Sequence, residues 1–190
     1  MKKTAMILGA AATLLTGGVT AAPASAGSGA CDIKPYGLIG DYWHTMGGED
    51  GFFGCPTSHE YGLPNRSGRR QDFANGQIAW SPDQGAKMIV AAYGARIGGK
   101  PVVVFRWGPT DPFHYDYFKI AVRSDHPAHN VTWTVRNQPR TRGRFVVHPP
   151  GNVNRGGSLG RYSFAVLGCD DKLTGDTCRQ GWSIRVTADA

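Results

Sequence analysis

Several groups of residues in this chain have types and spacings that could do chemistry, and each makes a definite structural demand. Acid–base hydrolysis of a glycan would draw on Glu49, Asp50 and Glu60, with His44 and His59 near them in sequence. That chemistry needs two carboxylates facing each other across a cleft. Glu49 and Asp50 are instead adjacent in a glycine-rich stretch, the setting of solvated turn formers. Gly156-Gly157-Ser158-Leu159-Gly160 has the spacing of a nucleophile elbow, but it lies in a Gly/Asn-rich turn before a strand, with no helix after it. Gly94 to Lys100 has phosphate-loop spacing, yet Pro101 occupies the place of the magnesium-binding hydroxyl. It reads as a linker. His126 and His129 lack an evident third metal ligand. No catalytic residue, metal or cofactor is assigned on these grounds.

Charge is more informative. The 190 residues carry a formal charge of +7, divided unevenly. Residues 27–99 hold six basic and seven acidic residues, whereas residues 100–190 hold thirteen basic and seven acidic. No acid lies between Asp125 and Asp170, a window containing Arg136, Arg140, Arg142, Arg144, Arg155 and Arg161. Guanidinium groups bind phosphate and carboxylate in bidentate fashion, so these six are the candidate contacts for an anionic polymer. The competing reading is a solvated edge or loop whose arginines serve solubility.

The ends and the cysteines place the chain. Lys2 and Lys3 precede an apolar run from Ala5 to about Leu15, and Ala24-Ser25-Ala26 supplies a cleavage site, so residues 1–26 read as a signal peptide. Thr13, Thr16, Gly17 and Gly18 break the run too early for a membrane span of about 20 residues. The C-terminal residues, Ser183 to Ala190, show no sorting motif, so any attachment at the cell surface is expected to be non-covalent. Four cysteines in an exported chain imply disulfides, with three possible connectivities. Local pairing, Cys31–Cys55 and Cys169–Cys178, is the simplest.

The elements follow from periodicity. Leu38, Ile39, Tyr42, Trp43 and Met46 recur at helical intervals, predicting one short helix stopped by Gly47-Gly48. Asn75-Gly76 between two strand-like runs predicts a hairpin, and Asp83-Gln84-Gly85 a turn into a third strand. Beyond a Gly-rich linker at 94–100, strands are expected at 101–107, 117–123, 131–136, 143–148, 161–167 and 182–187. Mainly β structure follows: a small module over 27–93, then an antiparallel sandwich of immunoglobulin or fibronectin III type over 101–190.

The first module carries a resemblance. Gly51-Phe52-Phe53-Gly54-Cys55-Pro56-Thr57-Ser58, Glu60, Gly68 to Phe73, Gly76 to Pro82 and Gly85-Ala86 resemble one LGFP repeat over about residues 38–93. Phe53 and Cys55 replace a leucine and a phenylalanine of the signature, and Ala79 replaces an aromatic. The resemblance implies an exported protein of actinobacteria with a role in anchoring or recognition at the cell envelope. Glu60 then falls at a repeat position and is expected to brace the fold. Trp43 and Trp80 become candidate platforms for sugar rings, against the usual role of tryptophan as core.

The sequence thus points to a secreted, disulfide-stabilised, non-enzymatic protein that recognises a wall glycan or an anionic wall polymer. It is expected extracellularly or non-covalently on the wall, with no membrane span, no cofactor and no nucleic-acid partner. Two alternatives are a small wall-active hydrolase using Glu49 or Glu60, and a secreted protein-binding or inhibitor module.

Overall fold

The computed structural model describes residues 30–125, 129–150, 160–173 and 175–190. The expected signal peptide, His126 and Arg155 lie outside the described residues, as does all of the Gly156–Gly160 turn but its last residue.

The predicted helix forms as α1, Gly37–Thr45, and buries Ile39 and Trp43. Short 3-10 turns follow at Gly48–Asp50 and Pro82–Gln84. The strands are β1 (Tyr61–Leu63), β2 (Arg66–Phe73), β3 (Gly76–Trp80), β4 (Ile89–Ile97), β5 (Lys100–Gly108), β6 (Tyr117–Ser124), β7 (Thr132–Val135), β8 (Gly143–Val147), β9 (Arg161–Asp170), β10 (Thr177–Cys178) and β11 (Val186–Asp189). They build two antiparallel sheets, in the order β1-β2-β3-β4-β5-β8 and β10-β9-β6-β7, with β11 also pairing with β9. This is the mainly β, sandwich-like architecture expected.

Side chains in a strand alternate between faces, and the first sheet is covered on both. Ile89, Ala91 and Tyr93 of β4 face α1 and the loop carrying Phe53, while Val90 and Ala92 face the second sheet. Val102 and Val104 of β5 join the helix-side core. Val103, Phe105 and Trp107 join the core between the sheets. There Phe105 stacks on Phe164 of β9, centroids 5.0 Å apart and planes 7° from parallel. The protein therefore has three layers and two cores, with β4 and β5 shared between the cores.

Residues 94–100, expected as a linker, are instead the closing end of the β4–β5 hairpin, with Gly94 opposite Val103 and Ile97 opposite Lys100. Gly98 and Gly99 turn the chain with φ of 57° and 75°. Positive φ at both central residues is what a tight two-residue hairpin requires, and only glycine adopts it freely. Residues 27–93 and 101–190 thus contribute strands to one sheet. The later residues supply β5 and β8 to the first sheet as well as the whole second sheet.

The 182–187 run becomes a strand only from Val186. Its earlier part bonds to the first half of the chain: the Ile184 N–H donates to Ser81 Oγ at 2.9 Å, and Arg66 donates to the Trp182 carbonyl. Both disulfides follow the local pairing, with sulfur separations of 2.00 Å for Cys31–Cys55 and 2.08 Å for Cys169–Cys178. Among the described residues no helix is long and apolar enough to cross a membrane.

Candidate functional site

A polar groove of about 950 Å³ lies where the β2–β3 turn, the end of β4 and β11 meet. That is the size range of small-molecule sites, about 300–1,000 Å³. The β2–β3 register pairs Phe73 with Gly76, so Ala74 and Asn75 are the two loop residues. Close approach of backbones makes the floor. A Cβ on Gly76 would lie 2.0 Å from the Ala92 carbonyl oxygen, and one on Gly94 would lie 2.6 Å from that of Asp189. Both positions need glycine for steric reasons.

The polar wall is built from side chains held by their neighbours. The Asp72 carboxylate accepts from Tyr61 Oη at 3.1 Å and from Gln77 Nε2 at 2.8 Å, while its backbone N–H donates to Ser58 Oγ. Gln77 Oε1 in turn accepts the Thr187 N–H at 2.8 Å, tying the hairpin to the C-terminal strand. Across the groove Arg161 Nε donates to Asp189 Oδ1 at 3.0 Å. Exposed Arg96 completes the rim and donates to the Gly99 carbonyl at 2.9 Å. Two carboxylates face two guanidiniums, so the lining is nearly neutral. It offers hydrogen-bond donors and acceptors side by side.

The six arginines nominated from sequence do not form one free cationic face. Arg136 holds Asp171 through two bonds, 2.6 and 3.0 Å, and lies 4.3 Å from the Tyr117 ring centroid. The Arg136 guanidinium keeps the Asp171 carboxyl below the usual carboxylate range. Arg140 pairs with Asp116 at 2.9 Å and Arg161 with Asp189. Arg142 and Arg144 are exposed, with no ion pair among the described residues, and Arg155 lies outside them. The neutralising acids come from outside the acid-free window, brought in by strand pairing.

The tryptophans are engaged through their indole N–H groups. Trp43 is 4% exposed in the helix-side core and donates to the Gly54 carbonyl at 2.9 Å. Trp80 is half-buried and donates to the Ala86 carbonyl at 2.9 Å. Glu49 sits on a small cleft of about 380 Å³ beside His44 and Asp50. Its carboxylate accepts the Cys31 N–H at 3.4 Å. Glu60, only 8% exposed, is ion-paired with Arg69, the bracing role expected of it. It lines neither the groove nor the Glu49 cleft. Among the described residues no three His, Cys, Asp or Glu side chains cluster as a metal site would require.

Sequence reasoning missed Asp72, Gln77, Arg96 and Asp189. The available signal was Asn75-Gly76, because a tight turn places the residues on either side of it next to each other.

Residues 53–99 match the LGFP repeat. No curated protein and no solved structure matches the chain. The matched segment runs from Phe53 to the β4–β5 turn, and so it contains the β2–β3 hairpin and the Gly94–Arg96 wall of the groove. An LGFP repeat suggests a cell-envelope-associated module, and the repeat together with the two disulfides is compatible with an extracellular protein.

Proposed function

We propose that this protein is a non-enzymatic, envelope-associated binding module that holds a wall glycan in the groove between the repeat hairpin and the C-terminal strand. The observation that carries this reading is the position of the groove. One wall is the hairpin of the LGFP repeat, and the other is β11, locked to it through Gln77 and Thr187. The near-neutral lining favours a polyhydroxylated ligand over a densely charged one. Export and non-covalent wall association belong to the same reading, supported by the N-terminal sequence and by the disulfides.

Retention on purified cell walls tests the proposal. The exposed groove residues Thr57, Asn75 and Arg96 can be changed without touching either core. A Thr57→Ala/Asn75→Ala/Arg96→Ala variant is expected to keep the melting temperature and lose most of its wall retention. Full retention by this variant would move the binding site elsewhere.

A further inference from the structure

On the outer face of the second sheet, we infer an oxyanion-binding site formed by Arg123 and Arg185 for a phosphate or carboxylate group of an extended polymer. The proposal goes beyond the glycan groove and does not depend on it. Neither arginine belongs to the acid-free window that draws attention in the sequence.

The register builds the site. Ile184 and Val186 point into the core between the sheets, so Arg185 between them points outward. Its Nη1 reaches over the sheet to Ser163 Oγ and to the carbonyls of Ser163 and Ala121, each at 3.3 Å. Ser163 is the direct cross-strand partner of Arg123 on β6. Phe164 and Val122 face inward, so Ser163 and Arg123 both face outward on this row. The two guanidiniums are therefore neighbours on one face. Burial and the positive charge of Arg123 both push the Arg185 pKa down, as expected for two like charges placed together.

What is missing around them points to a ligand. All fourteen acidic residues of the chain fall among the described residues, and none of them pairs with Arg123 or Arg185 there. Arg136, Arg140, Arg161 and Arg179 all have carboxylate partners. Among the described residues the Arg185 side chain makes three weak contacts, and that of Arg123 bonds only the Val122 carbonyl. An oxyanion accepting from both would relieve the repulsion and make the stronger charge-assisted bonds.

The surroundings suit an extended ligand. Ala121 and Ala165 lie opposite each other beside the arginines, small and themselves buried. Lys119 stands four residues from Arg123 on the same face, roughly 14 Å along the strand at about 3.4 Å per residue. A chain carrying repeated negative groups could engage Arg123 and Arg185 at one point and Lys119 at another. Thr187, opposite Ser163 on β11, also lines the glycan groove, so the anion site adjoins it.

The test is calorimetric titration of the disulfide-intact protein with linear inorganic polyphosphate and, separately, with polygalacturonate across a salt series. At low salt at least one is expected to bind, and which one identifies phosphate or carboxylate as the preferred group. Exposed Arg123→Gln is expected to weaken binding about tenfold or more, the scale of a lost charge-assisted bond. It should also reduce the slope of log K against log salt by roughly one. Arg185→Gln should do the same, with Arg185→Lys restoring part of the loss. The Arg142→Gln/Arg144→Gln variant should bind as the parent does, and so should the groove triple variant, which separates this site from the groove. No binding of either polymer at low salt would overturn the proposal. So would binding insensitive to Arg123→Gln but lost in Arg142→Gln/Arg144→Gln.

Discussion

Replacing Phe164 with alanine should destabilise the repeat half of the chain as much as the half that contains the substitution. Phe164 is fully buried on β9 and stacks on Phe105 of β5, so it presses the second sheet onto the strand that continues directly from the repeat. Truncating a buried phenylalanine to alanine costs about 3–5 kcal/mol in lost transfer energy and residual cavity. The parallel stack adds to it, since aromatic pairs contribute about 0.5–1.5 kcal/mol beyond area burial. For a chain of this size the sum corresponds to a melting point lower by about 7–26 °C. The assay is thermal unfolding followed by hydrogen exchange at the amides of β3 and β9. Because Ala79, Val90 and Ala92 share a core with Phe164, protection should fall at both strands together and a single transition should persist. Loss of protection at β9 with unchanged protection at β3, or a separate unaltered transition from the repeat, would refute the shared core.

Trp43→Ala is expected to cost about 3–5 kcal/mol, because the ring is core and its N–H satisfies the Gly54 carbonyl. Wall retention should then be lost only in proportion to unfolding, and lost binding with an unchanged melting temperature would instead make Trp43 a ligand contact. Removing the Cys31–Cys55 bridge, which spans 24 residues, with a Cys31→Ser/Cys55→Ser variant should lower stability by about 3.5 kcal/mol on the loop-entropy account. Denaturant titration reads the change, and an unaltered midpoint would show that this bridge constrains nothing. Alkaline conditions should also destabilise the fold. Burial, reinforced by Asp170, raises the Tyr115 phenol from 10.0 to about 12, and burial raises Tyr42 further still. A raised folded-state pKa contributes stability that is fully present below pH 10 and is lost as the pH climbs towards 12. The melting temperature should fall across that interval, and a flat profile would contradict the burial of these phenols.

Much of the local structure was legible in the sequence because it depends on neighbours along the chain. The helix at Gly37–Thr45 follows from the three- and four-residue spacing of its apolar side chains. The alternation in Phe118, Ile120 and Val122, and in Tyr162, Phe164 and Val166, marks β6 and β9 with the correct inward faces. Sheet membership was not legible. Gly98-Gly99 reads equally as a flexible linker and as a hairpin turn, and only the pairing of Ile97 with Lys100 decides between them. β8 leaves the strands nearest to it in sequence and pairs with β5, a long-range choice that no local pattern encodes.

The groove escaped for the same reason, since Asp72 and Gln77 come from the repeat while Arg161 and Asp189 lie 84 or more positions later. Arginine clustering along the chain was a poor guide to free charge. Strand pairing delivers Asp116, Asp171 and Asp189 to Arg140, Arg136 and Arg161, whereas Arg123 and Arg185, unremarkable in sequence, receive no acid.

The most direct test of the groove as a glycan site is chemical-shift mapping of the isotopically labelled protein during titration with solubilised wall glycan fragments. The groove account predicts saturable shifts centred on the amides of Thr57, Asn75, Gly76, Arg96 and Thr187, with Trp43 and the Glu49 cleft undisturbed. Shifts confined to the Glu49 cleft, or an unchanged spectrum at saturating fragment, would contradict it.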